Sequence, residues 1–170
     1  MQLRRGDTNT MPNSYAQIYI HVVFATKARQ NLISNVWKER LLQYICGTVS
    51  GKKQKVMAIN CMPDHIHILL GLKGDVKISD VVRDLKCNSS RWVNENRLVP
   101  VRFEWQHGFG AFSVGYSQLD VVGNYIRNQE NHHRRNSFRD EYIELLKNAG
   151  VDFDLRYVFD DDSAAPTELR

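Results

Sequence analysis

Cysteine is scarce in this chain, and so is any long apolar run. The three cysteines, Cys46, Cys61 and Cys87, are odd in number and show no Cys-x-x-Cys spacing. That excludes a disulfide-framed secreted scaffold and a zinc knuckle, and it fits free thiols in a reducing compartment. No stretch approaches the length of a membrane span, and the first residues lack the apolar core of a signal peptide. A cytoplasmic protein with no membrane partner is the resulting expectation. Internal repeats are absent as well, and no composition break marks a second domain.

What is present is ordinary globular composition, with 42% hydrophobic and 25% charged residues in 170. One domain of this length can bury a sizeable core. The net charge of +4 is unevenly spread: residues 151–170 hold six acidic and two basic residues, which leaves residues 1–150 at +8. A basic body with an acidic tail suits a polyanionic partner, and it equally suits solvated surface charge.

The chain divides into a polar leader over 1–13, expected to be disordered, a folded domain over 14–150, and an acidic tail over 151–170. Met11 is an alternative start of translation. From Gln17 the residues alternate: Ile18, Ile20, Val22 and Phe24 point one way, and Tyr19, His21 and Val23 the other, which is a half-buried strand. Trp37, Leu41, Tyr44 and Ile45 then mark a helix with Ser34 as a candidate N-cap, broken at Gly51-Lys52-Lys53-Gln54-Lys55. Val56–Met62 and His65–Leu72 are strands joined at Pro63-Asp64, the composition of a tight hairpin. Ile78, Val81, Val82 and Leu85 begin a second amphipathic helix that can be followed towards Trp92 and Val93. A fourth strand falls at Val101–Trp105 or at Ala111–Tyr116. The order strand, helix, strand, strand, helix, strand predicts an α+β, ferredoxin-like antiparallel sheet with two helices on one face. Two further helices follow, one over about 117–129 and one that starts with capping-box spacing at Ser137 and stops at Gly150.

One stretch does not fit a purely structural reading. In Asn60-Cys61-Met62-Pro63-Asp64-His65-Ile66-His67-Ile68-Leu69-Leu70, alternation puts His65 and His67 on one sheet face and Ile66, Ile68 and Leu70 on the other. Two imidazoles so placed can grip one cation, with a third ligand from elsewhere. The pattern alone also fits two exposed strand residues with no ligand. In the later helix, Tyr125 and Gln129 lie four residues apart and share a face. A glutamine carbonyl oxygen can complete the shell of magnesium or manganese, and a tyrosine can act as a nucleophile. By themselves they fit equally well as part of an apolar stripe with Val122 and Ile126, and a solvated glutamine.

Four segments taken together, in this order, carry a resemblance. They are Tyr19-Ile20-His21-Val22-Val23-Phe24-Ala25-Thr26-Lys27, Met62-Pro63-Asp64-His65-Ile66-His67-Ile68-Leu69-Leu70, Trp105-Gln106-His107-Gly108-Phe109-Gly110-Ala111-Phe112-Ser113 and Tyr125-Ile126-Arg127-Asn128-Gln129-Glu130-Asn131-His132-His133. Over roughly residues 12–160 the chain resembles the HUH single-tyrosine transposases, which mobilise small bacterial insertion sequences as single-stranded DNA. The resemblance implies that His65, His67 and Gln129 hold a divalent cation, Mg2+ or Mn2+, that polarises the scissile phosphate. It implies that Tyr125 attacks that phosphate, leaving a 5′-phosphotyrosine and a free 3′-hydroxyl. It further implies a helix carrying the tyrosine against the second sheet face, hairpin DNA ends as partner, and a homodimer in which one subunit's tyrosine helix can complete the other's metal site.

Lys52, Lys53, Lys55, Arg83, Lys86, Arg91 and Arg97 are candidates for phosphate contacts, with a solvated face as the alternative for each. Lys86 ranks first among them, because Leu85-Lys86-Cys87-Asn88-Ser89-Ser90 is similar to a family pattern. His21 is expected to be a hydrogen-bonded structural histidine near the site. His132 and His133 either touch DNA or cap the helix end. Trp105 and the cysteines are expected to pack. Two other functions fit parts of the sequence. One is a small His-x-His phosphohydrolase that uses water, and the other a non-catalytic, domesticated binder of hairpin DNA.

Overall fold

The computed structural model describes residues 15–134 and 136–159. The leader over 1–13 and the end of the tail lie outside the described residues. Four strands, β1 (Ile18–Ala25), β2 (Lys55–Met62), β3 (His65–Leu72) and β4 (Gly110–Val114), form one antiparallel sheet in the order β2-β3-β1-β4. With helices α1 (Lys38–Gly51) and α2 (Ile78–Glu95) in the two crossovers, this is the ferredoxin-like arrangement. The fourth strand is the second of the two expected stretches. Trp105 makes only an isolated bridge to Thr26, and its indole is buried between strand and helix.

Alternation along β1 and β3 sorts the two faces. Val22, Phe24, Ile66, Ile68 and Leu70 point at the stripes of α1 (Leu41, Ile45, Val49) and α2 (Val81, Val82, Leu85, Val93), and all are buried in one core. The helix α1 begins later than its Ser34 cap signal, because Ser34 spends its hydroxyl accepting from the Val36 amide at 3.2 Å in a preceding turn. Of the cysteines, Cys61 is buried and Cys46 half-buried, whereas Cys87 is exposed and does not pack as expected.

The second face is covered by three more helices: α3 (Leu119–Arg127), α4 (Gln129–His133) and α5 (Phe138–Asn148). The expected single helix to Gln129 is interrupted at Asn128, whose φ of −97° and ψ of 20° turn α4 away from α3. Ile126 of α3 is buried with Ala58 and Leu69 of the sheet. Asn60 of β2 fixes the end of α3, with its side-chain amide donating to the Ile126 and Arg127 carbonyls at 3.1 and 3.2 Å. The expected cap of α5 forms, as Ser137 accepts from the Asp140 amide. The helix closes at Gly150 (φ 64°), where the Val151 and Gly150 amides return to the Leu146 and Lys147 carbonyls. Phe138, Tyr142 and Leu146 of α5 dock on Val23, Ala25 and Phe112, and Phe153, Val158 and Phe159 from the start of the tail pack against them.

No helix among the described residues is long and apolar enough to cross a membrane.

Candidate active site

The strand β3 delivers both histidines of the His-x-His pair to the face under α3–α5. Neither emerges into solvent: His65 is 1% exposed and His67 is fully buried. Opposite them in the register lie Ala25 and Val23 of β1, small or branched residues that leave room above the strand.

Each imidazole is oriented by a bond at its Nδ1. Asp64, in the hairpin turn, lies 2.6 Å from His65 Nδ1, so that nitrogen donates to the carboxylate. His21 Nε2 lies 3.0 Å from His67 Nδ1, with the two rings stacked at 5.2 Å. Both pairs leave the Nε2 lone pairs pointing into the same small space. Phe138 stacks on the His65 ring at 4.0 Å and holds it from the other side.

Two residues whose roles the sequence did not reveal meet those lone pairs. His133, at the end of α4, brings its Nε2 within 3.0 Å of His65 Nε2. Glu141, on α5, is 2% exposed, and its carboxylate lies at 3.5 Å from His67 Nε2, 3.8 Å from His65 Nε2 and 2.8 Å from His133 Nε2. The four residues His65, His67, His133 and Glu141 each offer a ligand atom within 4.8 Å of the others. Sequence did hold a signal for Glu141. It falls between Phe138 and Tyr142 on the stripe of α5 that faces the sheet, where a carboxylate needs a partner.

Tyr125 and Gln129 converge on the same carboxylate. The Tyr125 hydroxyl donates to Glu141 Oε1, and the Gln129 amide donates to that oxygen at 3.1 Å. Tyr125 also sits edge-on to His21 and His67, at 6.1 and 5.9 Å between ring centroids. The tyrosine and the histidine pair therefore meet within one chain.

Burial sets the protonation of the cluster. It lowers His21 to about 3, with the neighbouring His67 adding to the effect, and lowers His67 to about 4 against the pull of Glu141. His65 is lowered as well, burial outweighing Asp64. These three imidazoles are neutral at physiological pH, the form that ligates metals. Burial works to raise Glu141, yet the facing His133 and His67 imidazoles hold it well below the usual carboxylate range. Burial and the adjacent Glu141 charge push the Tyr125 phenol far above its ordinary value. The resting site thus holds an ionised carboxylate and a neutral phenol.

Among the described residues, five buried side-chain polar atoms lack a hydrogen-bond partner, and four of them gather here: His67 Nε2, Gln129 Oε1, His132 Nε2 and Glu141 Oε2. Glu141 Oε2 lies 2.8 Å from His133 Nε2. Such unpaired groups are costly in a dry interior unless something bound there satisfies them. The donor set fits a divalent cation.

The basic residues singled out for DNA lie elsewhere. Lys52, at the end of α1, is ion-paired with Asp84 of α2, and Arg83 bridges Asp80 and Asp84. Lys53 and Lys55 are both exposed, before and at the start of β2. Arg83, Lys86 and Arg91 line a cleft of about 800 Å³ between α2 and the segment 102–109, on the helix side of the sheet. Arg97 follows α2 with a φ of 50°. Lys86 is already engaged: its ammonium donates to the carbonyls of Gln106, His107 and Gly108 at 2.9, 3.2 and 2.5 Å and lies 5.0 Å above the Phe24 ring.

Comparison with known proteins agrees with this arrangement. The model of the family "Transposase IS200 like" matches residues 14–129. The transposase for insertion sequence element IS200 of Salmonella typhimurium is 23% identical over 130 residues, which is 73% of this chain and 84% of that protein. The same transposase of Salmonella typhi matches equally. Among solved structures, one assigned to a transposase of Deinococcus radiodurans aligns with a TM-score of 0.56 at 22% identity, over 75% of this chain and 98% of its own. A REP-associated tyrosine transposase bound to a REP hairpin aligns with a TM-score of 0.56 at 16% identity, over 74% of each chain. The sheet order, the buried histidine pair and the tyrosine helix occupy the stretch that the family covers, and the chain belongs to the IS200-like transposase family.

Proposed function

We propose that this protein cleaves and rejoins single-stranded DNA at the ends of an insertion sequence, with Tyr125 as the nucleophile. The observation that carries this reading is the meeting of Tyr125 with the histidine pair at one buried carboxylate. The Tyr125 oxygen attacks the scissile phosphorus, the bond from phosphorus to the 3′-oxygen breaks, and the leaving oxygen takes up a proton to become a 3′-hydroxyl. The phenol gives up its own proton in the same step. Rejoining is the reverse, with the 3′-hydroxyl of the partner strand attacking the phosphotyrosine and releasing Tyr125. Bond count and charge balance throughout, so no external energy source is required.

His65, His67 and Gln129 would hold the divalent cation, Mg2+ or Mn2+, the Gln129 Oε1 being one of the unpaired buried acceptors of the site. A cation there supplies Lewis-acid polarisation of the phosphate and positive charge next to a phenol that must ionise. Hairpin DNA is the partner favoured by the neighbour solved with a REP hairpin, and a cytoplasmic location goes with that reading. Lys52, Lys53, Lys55, Arg83 and Arg91 would contact flanking phosphates rather than the scissile one, since they lie away from Tyr125. A homodimer remains part of the reading. Within one chain Tyr125 reaches Glu141 beside the histidines, and in the dimer the tyrosine helix of one subunit can complete the site of the other.

The test is a denaturing gel of the protein incubated with single-stranded oligonucleotides from the DNA flanking its gene, with Mg2+ or Mn2+ present. A covalent protein–DNA adduct that disappears in Tyr125→Phe is the expected result. Cleavage that survives in the variant would instead indicate a water-using phosphohydrolase, and binding without any adduct a non-catalytic hairpin binder.

A further inference from the structure

We infer that a polar cavity beside Tyr125 binds the first nucleotide 3′ of the scissile phosphate and reads its base with the side-chain amides of Asn131 and Asn136. This rests on the transposase reading above and gives the protein a base-reading site of its own, separate from the histidine cluster.

Asn124, Asn128 and Asn131 follow one another at steps of four and three residues along α3 and α4, the spacing that keeps side chains on one side. The chain then leaves α4 through Arg134 and Asn136. Together with Tyr125 and His132 these residues line a cavity of about 670 Å³. That volume falls among small-ligand sites, which run from about 300 to 1,000 Å³. The walls are unlike those of an apolar pocket. Beyond the rings of Tyr125 and His132, every lining side chain is an amide or a guanidinium. Such walls favour a ligand with hydrogen-bonding edges and negative charge.

The amides divide into two pairs. Asn124 Oδ1 accepts from Arg127 at 3.1 Å, and the Asn128 side chain donates to the Asn124 carbonyl at 3.0 Å, so these two shape the wall. Asn131 and Asn136 are exposed and make no side-chain hydrogen bond among the described residues. Each presents a donor and an acceptor side by side, the pattern that pairs with a base edge through two bonds. Arg134 is exposed and forms no ion pair among the described residues, which leaves its guanidinium to a backbone phosphate.

The position of the nucleotide follows from the chemistry. Tyr125 is one wall of the cavity. After cleavage, the nucleotide that carries the scissile phosphate on its 5′-oxygen stays joined to Tyr125, whereas the strand ending in the 3′-hydroxyl is exchanged. A pocket built around the tyrosine can hold the joined nucleotide through both steps.

The test measures binding to full-length Tyr125→Phe protein by fluorescence anisotropy. The probe is a hairpin with a single-stranded flank taken from the DNA beside the gene, and an abasic site is moved through the flank one nucleotide at a time. One position should weaken binding by about 5- to 150-fold, the worth of a two-bond contact to a base. Adding Asn131→Ala and Asn136→Ala should shrink that loss to within about threefold. The hairpin without its flank should bind both proteins equally, which shows that the added changes leave the fold intact. Arg134→Gln should weaken every flanked probe alike. With Tyr125 restored, mapping of the adduct should put the sensitive nucleotide directly 3′ of the broken bond. A flank with no sensitive position would overturn the assignment, as would a loss that is the same with and without Asn131 and Asn136. So would a sensitive nucleotide anywhere but next to the broken bond. The binding measurements need no chemistry at Tyr125, so failure to form an adduct would count against the transposase reading and leave the base-reading site standing.

Discussion

The hydroxyl of Tyr125 donates its hydrogen bond to Glu141, a buried carboxylate that also faces His67 and His133. This contact explains how a tyrosine can be held beside the histidine cluster without ionising. An anionic acceptor strengthens the bond to the neutral phenol and opposes the phenolate, in the same direction as burial. In metal-free protein, Glu141→Gln removes the negative charge while keeping the shape. The phenol of Tyr125 should then ionise at lower pH than in the wild type. The measurement is a tyrosinate absorbance titration, each protein being compared with its own Tyr125→Phe derivative to isolate one tyrosine among seven. An unchanged curve would mean that burial alone sets the phenol.

A second relationship lies one strand away. His21 is the partner of His67 Nδ1 and is itself neutral and buried. His21→Phe keeps an aromatic ring in the stack but removes the acceptor. His67 Nδ1–H is then left without a partner, which should cost about 1–3 kcal/mol of stability. Freed from its orienting bond, His67 should lose cation affinity by about 10–100-fold, while the fold stays intact. Chemical denaturation and calorimetry on the same preparation check both numbers.

Much of this was legible in the sequence, for identifiable reasons. Period-two alternation announced β1 and β3 and the face to which His65 and His67 belong, because a strand buried on one face cannot slip by one residue. The two-residue turn at Pro63-Asp64 fixed their pairing. His133 was not legible as a site residue, and Glu141 only as a carboxylate on the sheet-facing stripe of α5. Each reads locally as a helix residue, and only the docking of α5 through Phe138, Tyr142 and Leu146 brings the carboxylate to the histidines. Lys86 is a different case. Its motif suggested DNA, whereas the fold uses its ammonium to hold three carbonyls of the segment after Trp105.

That difference can be measured. Lys86→Met keeps the aliphatic stem over Phe24 but gives up charge-assisted bonds, which should cost about 1.5–3 kcal/mol in thermal or chemical denaturation. The slope of log affinity against log salt for hairpin DNA should stay where it was. Arg83→Gln or Arg91→Gln should leave stability nearly unchanged, and each should reduce that slope by about 0.7–0.9 for every phosphate it no longer neutralises. A slope that falls in Lys86→Met at unchanged stability would restore Lys86 as a DNA-binding residue.

The last relationship ties the sheet to the site through a missing side chain. Gly110 opens β4, and a Cβ placed there would lie 2.9 Å from the Tyr142 ring and 3.0 Å from that of Phe112. Tyr142 follows Glu141 directly on α5, so whatever pushes the ring outward also withdraws the carboxylate from the histidines. Both rings belong to the small apolar cluster that docks α5. Gly110→Ala should therefore destabilise the protein by about 1–3 kcal/mol, the usual cost of overpacking. It should also weaken cation binding, although no ligand has been changed. The companion change Tyr142→Leu, made in the Gly110→Ala background, removes the clashing ring edge. It should restore part of the cation affinity. Calorimetric titration of the single and double variants reads the coupling directly, since the effects of two touching residues should not add. If Gly110→Ala destabilised the protein while cation affinity stayed at the wild-type level, the position of Glu141 would not depend on how α5 sits on β4.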